Sequence, residues 1–343
     1  MTPYVPGEQP RGRSFIKLNT NESPFPPSPK TQQYAAQAAQ SLQLYCDPEC
    51  TALVEKMAES KGLKPSQVLF GNGSDEILYL AFLAYCDQKT PAIFPDITYG
   101  FYKVYAQVLG LPYETIPLKE DFSICVEDYL SVGKTVFIAN PNAPTGQLLS
   151  LGDIQRIADS NKENVVVIDE AYIDFGGPSA VCLLDRCENL LVTQTFSKSR
   201  SLAGGRLGMA FASEALISDL KALKYSMNPY NVNAMTQAAG IGALEDAAYT
   251  QKNCEIIQEN RAFTIKGLRD LGFAVSDSYA NFVLAAHPAV SGGQLYTKLK
   301  DMGILVRYFN TQRLSPYVRI SIGAKQDMEC LLDAIAKILE DWV

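Results

Sequence analysis

Histidine is nearly absent from this 343-residue chain: His287, in "AAHPAV", is the only one. A Ser-His-Asp triad or a multi-histidine metal site would have to rest on that single ring, and no metal site is expected. Proton chemistry near neutral pH therefore falls to a lysine, carboxylate, tyrosine or thiol. Long apolar runs are missing too. No stretch reaches the roughly eighteen residues of a membrane span, and the start, "MTPYVPGEQPRGR", lacks the apolar run of a signal peptide, so a cytoplasmic protein with no membrane partner is expected. Paired cysteines are also lacking. The eight thiols (Cys46, Cys50, Cys86, Cys125, Cys182, Cys187, Cys254 and Cys330) show no CxxC spacing and read as buried or idle, with Cys46 beside Tyr45 the one to watch. Nor is there an excess of positive charge. With 30 basic and 37 acidic residues the net charge is -7, which gives no footprint for nucleic acid and favours small-molecule partners.

What is present suggests two lobes, since 343 residues exceed the usual single-domain size. Seven of the 19 prolines (Pro3, Pro6, Pro10, Pro24, Pro26, Pro27 and Pro29) fall in the first 30 residues, which reads as an extended arm because proline removes backbone donors. Helical patterns follow at about 31–44 and 49–61, the second opened by Pro48 and closed by Gly62. "VLFGNGSDEILYLAFLAY" reads as a short strand, a glycine turn and a helix. "TVFIANPNAPTG", "NVVVIDEAY" and "NLLVTQTFSK" read as buried strands with polar endings. Such strands alternating with helices imply an α/β fold with a mainly parallel sheet, whose ligands sit beyond the carboxyl ends of its strands. A helical region from about 231 to 270 leads to "GFAVSDSYANFVLAA", "GILVRYF" and "YVRISIG" as strands and "DMECLLDAIAKILEDW" as an amphipathic helix, a smaller α+β lobe.

The polar endings carry the chemistry. Asp169 and Tyr172 close a β-branched run, where an unpaired carboxylate is costly, so Asp169 wants a cationic partner. Lys198 lies 29 residues later at the end of another predicted strand, and a parallel sheet brings the two loops together. A lysine for a Schiff base and a carboxylate for a pyridinium nitrogen together suggest pyridoxal phosphate. "GNGSDE" at 71–76 is a glycine turn running into a helix start; Ser74 and Asp75 there either cap the helix or frame a phosphate. Ser197 adds a hydroxyl and Arg206 a fork of donors that suits a dianion. Asn142 sits in the proline-bracketed turn "NPNAPTG", and Tyr99 in "PDITYG" offers a ring for stacking. In "YVRISIG", Val318, Ile320 and Ile322 share one face and leave Arg319 on the other, with Arg307 in "GILVRYF" as a second fork for an anionic substrate.

Taken in order, "LNTNESP", "LYCDPE", "GNGSDE", "FPDITYGFY", "NPNAPTG", "VVIDEAYIDF", "TFSKSRSLAGGR" and "VRISIG" resemble the histidinol-phosphate aminotransferases, a family of fold-type I pyridoxal-phosphate enzymes. The resemblance covers nearly the whole chain. It implies a large pyridoxal-phosphate domain at 41–244, a small C-terminal domain at 245–343, and an arm at 1–40 that contributes to the small domain. It implies that Lys198 holds the cofactor as a Schiff base, that Asp169 pairs with the pyridine nitrogen, that Tyr172 and Asn142 hold the phenolic oxygen, and that Tyr99 stacks on the ring. Ser74, Asp75, Thr195, Ser197 and Arg206 would take the cofactor phosphate. Tyr45 would reach the neighbouring subunit's site, making a homodimer part of the machinery. Arg307 and Arg319 would bind the substrate's anionic end, with Asn21 and Glu22 of the arm nearby. The activity implied is transamination between L-histidinol phosphate and 2-oxoglutarate. Three positions depart from the family's habit: Ser23 replaces asparagine or tyrosine, Cys46 proline, and Gly205 leucine.

Three alternatives share parts of this pattern. An aromatic amino-acid aminotransferase would place a ring where imidazole goes, and a threonine-phosphate decarboxylase would release carbon dioxide from the same scaffold. A non-catalytic nucleotide-binding protein would need a GxGxxG fingerprint, and "GNGSDE" lacks the third glycine.

Overall fold

The structure, a computed structural model, describes residues 5–10, 12 and 14–340. The parts of the predicted arm at 1–4, 11 and 13, and of the last predicted helix at 341–342, lie outside them.

The arm supplies a strand, β1 (Ile16–Leu18), and then α1 (Pro29–Ala38), which Ser28 caps and Pro29 opens at its first turn. The next helix, α2 (Thr51–Lys61), begins later than Pro48 suggests. Asp47 accepts the Thr51 and Glu49 amides at 2.7 and 2.9 Å and thereby sets the start, and Gly62 ends the helix in the left-handed region. From β2 (Val68–Asn72) the chain alternates: α3 (Gly73–Tyr85), β3 (Ala92–Pro95), α4 (Phe101–Leu109), β4 (Tyr113–Ile116), β5 (Thr135–Ala139), α5 (Leu151–Ser160), β6 (Val166–Asp169), β7 (Leu190–Thr195), β8 (Leu207–Ala212), α6 (Glu214–Met227) and α7 (Ala234–Glu245).

The seven strands from β2 to β8 form one sheet in the order β2-β8-β7-β6-β5-β3-β4, parallel except for β8, which runs antiparallel to both neighbours. Its central strands are buried on both faces. Val166, Ile168 and Val192 enter one core cluster and Val167, Leu191 and Phe137 the other, as the two-residue period of a strand requires. Single-residue register pairs Asp169 with Ala139 and Thr193, which brings the polar ends of β5, β6 and β7 to one edge.

The predicted helical region of 231–270 is two helices, α7 and α8 (Ala247–Asp270), with a break at Asp246. The reason is tertiary: Ala239 and Ala243 of α7 pack in the large-sheet core, whereas Cys254, Ile257 and Leu268 of α8 pack in a second core. That second core lies under a five-stranded sheet of β9 (Ala274–Val275), β10 (Phe282–Ala286), β11 (Ile304–Tyr308), β12 (Tyr317–Ser321) and β1 from the arm, in the order β1-β11-β12-β10-β9. Only the β1–β11 pair is parallel there. The helices α9 (Gly292–Asp301) and α10 (Lys325–Glu340) complete this unit. The rest of the arm belongs elsewhere: α1 lies on α7, where a Cβ at Gly242 would stand 2.6 Å from the Lys30 carbonyl. The two units meet through Ile97, Leu118 and Phe122 on one side and Leu284 and Leu314 on the other. Among the described residues no helix is long and apolar enough to cross a membrane, and no group of His, Cys, Asp and Glu is arranged to hold a metal ion.

Candidate active site

A cleft of about 880 Å³ opens where the carboxyl ends of β5, β6 and β7 face the small sheet. Lys198 lies in its wall, on the turn between β7 and the antiparallel β8. Its amine donates to the Thr20 carbonyl of the arm at 3.2 Å and stands 5.8 Å from the centre of the Tyr172 ring. Burial pushes this amine down to about 8, and the Arg319 cation assists while Glu22 and Asp75 oppose. A lysine with that value holds a useful fraction of free amine near neutral pH.

Asp169 ends β6 on the floor of the cleft and is 4% exposed. It accepts hydrogen bonds from the Tyr102 hydroxyl at 3.0 Å, the Thr193 hydroxyl at 3.3 Å and the Ala171 amide at 3.3 Å, none of them a cation. Burial lifts its carboxyl to about 6 despite those donors. Three residues on, Tyr172 accepts a hydrogen bond from Asn21 Nδ2 at 3.0 Å, and its ring meets Phe282 edge-on. Asn21 is fixed in turn by Ser321 and Asn281 of the small unit. Burial raises the Tyr172 hydroxyl, and Arg319 and Asn21 moderate the rise.

The amino end of α3 forms another wall. Gly73 and Gly208 allow an approach that no side chain permits, since a Cβ on Gly208 would stand 2.1 Å from the Ser74 nitrogen, and one on Gly73 2.6 Å from Arg206. Asn72 gives no side-chain cap to this helix. The Asp75 carboxylate takes Arg206 at 2.9 Å and the Tyr99 hydroxyl at 2.6 Å, so it fixes two neighbouring side chains of the cleft. Beside them, Thr195 Oγ1 accepts the Ser197 amide at 3.1 Å and packs both hydroxyls at the foot of the lysine turn.

Across the cleft, Arg319 donates to the Asn19 carbonyl at 2.9 Å, and Arg307 donates to the Val5 and Pro6 carbonyls at 2.8 and 3.1 Å. Both guanidinium groups lie near the Phe309 ring. Glu22, also in the wall, is bonded by Lys17 and by the Thr20 hydroxyl; burial pushes its carboxyl up, but these donors hold it below the ordinary value.

Two of the residues singled out in the sequence stand apart. Asn142 is buried behind Ala143 and Pro144; its amide donates to the Ile97 carbonyl and to Thr145 Oγ1 at 3.0 and 3.1 Å, because the proline-bracketed turn folds it inward. Tyr45 is 84% exposed, away from the cleft of its own chain, and stacks on Tyr230 with centroids 4.6 Å apart. Sequence reasoning missed Tyr102, Thr193 and the Thr20 carbonyl. Tyr102 left a signal in the aromatic repeat at 99, 102 and 105, whose spacing places it on the helix face that meets the strand ends.

A family model described as "Aminotransferase class I and II" matches residues 13–338. Curated relatives include the histidinol-phosphate aminotransferases of Acinetobacter baumannii (strain AB307-0294), 46% identical over 98% of this chain and 94% of that protein, and of Clostridium botulinum (strain Okra / Type B1), 46% identical over 98% and 96%. Among solved structures, the histidinol-phosphate aminotransferase of Sinorhizobium meliloti in complex with pyridoxal-5'-phosphate superposes with a TM-score of 0.88 over 96% of this chain and 92% of that one, at 24% identity, and so shares the fold. A doubly wound sheet with a lysine on the turn after its central strands thus coincides with near-full-length likeness, and the chain belongs to the class I and II aminotransferases.

Proposed function

We propose that the chain transfers the amino group of L-histidinol phosphate to 2-oxoglutarate, giving 3-(imidazol-4-yl)-2-oxopropyl phosphate and L-glutamate in histidine biosynthesis, with pyridoxal 5'-phosphate as cofactor. The observation that carries this reading is the near-full-length likeness to enzymes bearing that name. The donor set fits the cofactor: a buried carboxylate bonded only by neutral groups suits a pyridinium, and an uncapped helix start beside Arg206, Thr195 and Ser197 suits a phosphate dianion. When bound, pyridoxal phosphate supplies an electron sink for negative charge at the substrate carbon.

Lys198 Nζ would hold the cofactor and, once free of it, would move the proton at the amine-bearing carbon of the substrate, a task its lowered value of about 8 suits. The buried Asp169 carboxylate would pair with the ring nitrogen and favour its protonated form. Tyr172, steadied by Asn21, would donate to the phenolic oxygen, and Asn142 would join it on giving up its bond to Thr145. Tyr99, its hydroxyl held by Asp75, would stack on the ring, and the helix start at Ser74 and Asp75 would take the phosphate. Arg319 and Arg307 exchange backbone carbonyls for the substrate phosphate in one half-reaction and a carboxylate of 2-oxoglutarate in the other, with Glu22 alongside.

The working form in this reading is a cytoplasmic homodimer. Leu42, Leu44, Tyr45, Met227 and Tyr230 form an exposed apolar surface around the Tyr45–Tyr230 stack, which a second copy would cover while Tyr45 reaches its site. The domain division that fits the two cores is 41–244 and 245–343, with β1 of the arm serving the second.

The test adds histidinol phosphate or phenylalanine separately to holoenzyme without an oxo acid and follows conversion of the bound cofactor by absorbance. Rapid conversion by histidinol phosphate alone is expected; conversion by phenylalanine alone would move the substrate to aromatic amino acids.

A further inference from the structure

The turn that carries Lys198 decides where its amine points, and one carboxylate outside the cleft lining reaches that turn. Asp174 sits in the short 3-10 turn Ile173–Phe175 that follows Tyr172. Its Oδ2 accepts the Ser199 hydroxyl and Arg200 Nη1, the latter at 2.8 Å, and Arg200 Nη1 also lies 3.2 Å from the Ser199 oxygen. Both donors come from the two residues immediately after Lys198. The Arg200 side chain is only 11% exposed, and its guanidinium lies 4.8 Å from the centre of the Phe196 ring; Phe196 is fully buried against Phe70. Burial pushes the Asp174 carboxyl up, yet Arg200, the Ser199 hydroxyl and Lys61 outweigh it and hold it below its ordinary value, so the pair is ionised.

Before the lysine, Thr195 Oγ1 holds the Ser197 amide; beyond it, the Leu202 amide closes the turn back on the Phe196 carbonyl at 3.1 Å. The Ser201 hydroxyl donates to Ser23 Oγ of the arm at 2.8 Å, which occupies the family-departing Ser23 with the lysine turn. The turn is thus fastened before Lys198 by its own strand. After Lys198 it is fastened by Ser199 and Arg200 to the turn that follows Tyr172, by Ser201 to the arm and by Leu202 to Phe196.

We propose that Asp174 is a positioning residue for Lys198: through Ser199 and Arg200 it locks the lysine turn onto the Tyr172 loop, so that the amine meets the cleft in one geometry. This rests on Lys198 being the amine that carries the cofactor. The charge on Arg200 is neutralised in place, and the groups that set the Lys198 amine are its burial, Arg319, Glu22, Asp75 and Arg206. The contribution of Asp174 is therefore alignment, and misalignment of a reacting group by about 1 Å costs on the order of a hundredfold in rate.

The experiment compares wild-type holoenzyme with Asp174→Asn. Expected are a fall in kcat of roughly ten- to a hundredfold with KM changed by less than about twofold, and a weaker visible circular dichroism per mole of bound cofactor, which reads the orientation of the lysine-linked ring independently of turnover. A purely architectural role would lower the melting temperature and leave both kcat and the dichroism unchanged below it, which overturns the proposal. Should Asp174→Asn not fold, Ser199→Ala removes one of the two fastenings without stranding a buried charge; a severalfold lower kcat and a weaker dichroic band support the proposal, and unchanged values overturn it. Borohydride reduction and peptide mapping of the wild type separate the two failures. Label on Lys198 with indifferent variants sinks the positioning role alone, whereas label on another residue sinks the reading of Lys198 and this inference together.

Discussion

The two walls of the cleft are built on different plans. On the large-sheet side the groups are held by side chains: Asp75 fixes Arg206 and Tyr99, Tyr102 and Thr193 fix Asp169, and Asp174 fixes the lysine turn. On the small-sheet side the two arginines rest on backbone carbonyls of the arm, Asn19 for Arg319 and Val5 and Pro6 for Arg307. Side-chain networks inside a protein are hard to replace, because breaking one strands a buried polar group. A guanidinium resting on neutral carbonyls can exchange them for an anion, because a carboxylate or phosphate makes the stronger, charge-assisted bond. One wall is thus suited to a group that stays and the other to groups that come and go.

Lys198→Ala attacks the permanent wall at its centre and carries the largest expected effect. Transamination should fall at least about a thousandfold, with the melting curve of the protein nearly unchanged; near-normal turnover would end the assignment of Lys198. On the exchangeable wall, Arg319→Gln should raise KM for both the phosphate-bearing amine and the oxo acid by roughly ten- to a hundredfold, since a charge-assisted bond contributes about 1.5–3 kcal/mol. Arg307→Gln, at the more exposed arginine, should cost less. Steady-state kinetics on both substrates decide whether the two arginines share the anion, and an effect confined to kcat would place Arg319 in the permanent set instead.

The smallest effect lies behind the permanent wall. Glu170 is buried next to Asp169 but faces away from the cleft, bonded by Ser179, the Ala180 amide and Gln194. Burial lifts its carboxyl from the ordinary 4.5 to about 7. Because the folded value lies above the unfolded one, its favourable contribution is complete below about pH 4.5 and is lost as pH rises towards 7. Glu170→Gln should therefore flatten the fall in stability between those pH values, measured by urea unfolding. A variant that tracks the wild type across that range would show that Glu170 is already ionised in the folded protein.

Much of the permanent wall was legible because its residues end apolar runs. Asp169 follows four β-branched residues, and Lys198 follows a strand and precedes a glycine-rich turn, so burial and polarity change at one point in the sequence. Tyr102 and Asp174 escaped notice because nothing in "GFYKVY" or "YIDF" says which neighbour lies across the sheet edge. The strands β1, β3, β4 and β8 were missed as well: the first three have only three or four residues, and β1 sits in a proline-rich arm that gives no alternation to read. The break between α7 and α8 left no glycine or proline as a marker.

The sequence by itself determined which chemistry is available: a lone histidine, a lysine and a carboxylate at strand ends, a glycine turn into a helix, and motif spacing that matches one family. Those are local properties, fixed by side-chain type and by periods of two or 3.6 residues. Only the tertiary structure decided which groups hold them, because Asn21 finds Ser321 300 residues away, and Arg200 finds Asp174 across two strands, through packing that no local period encodes.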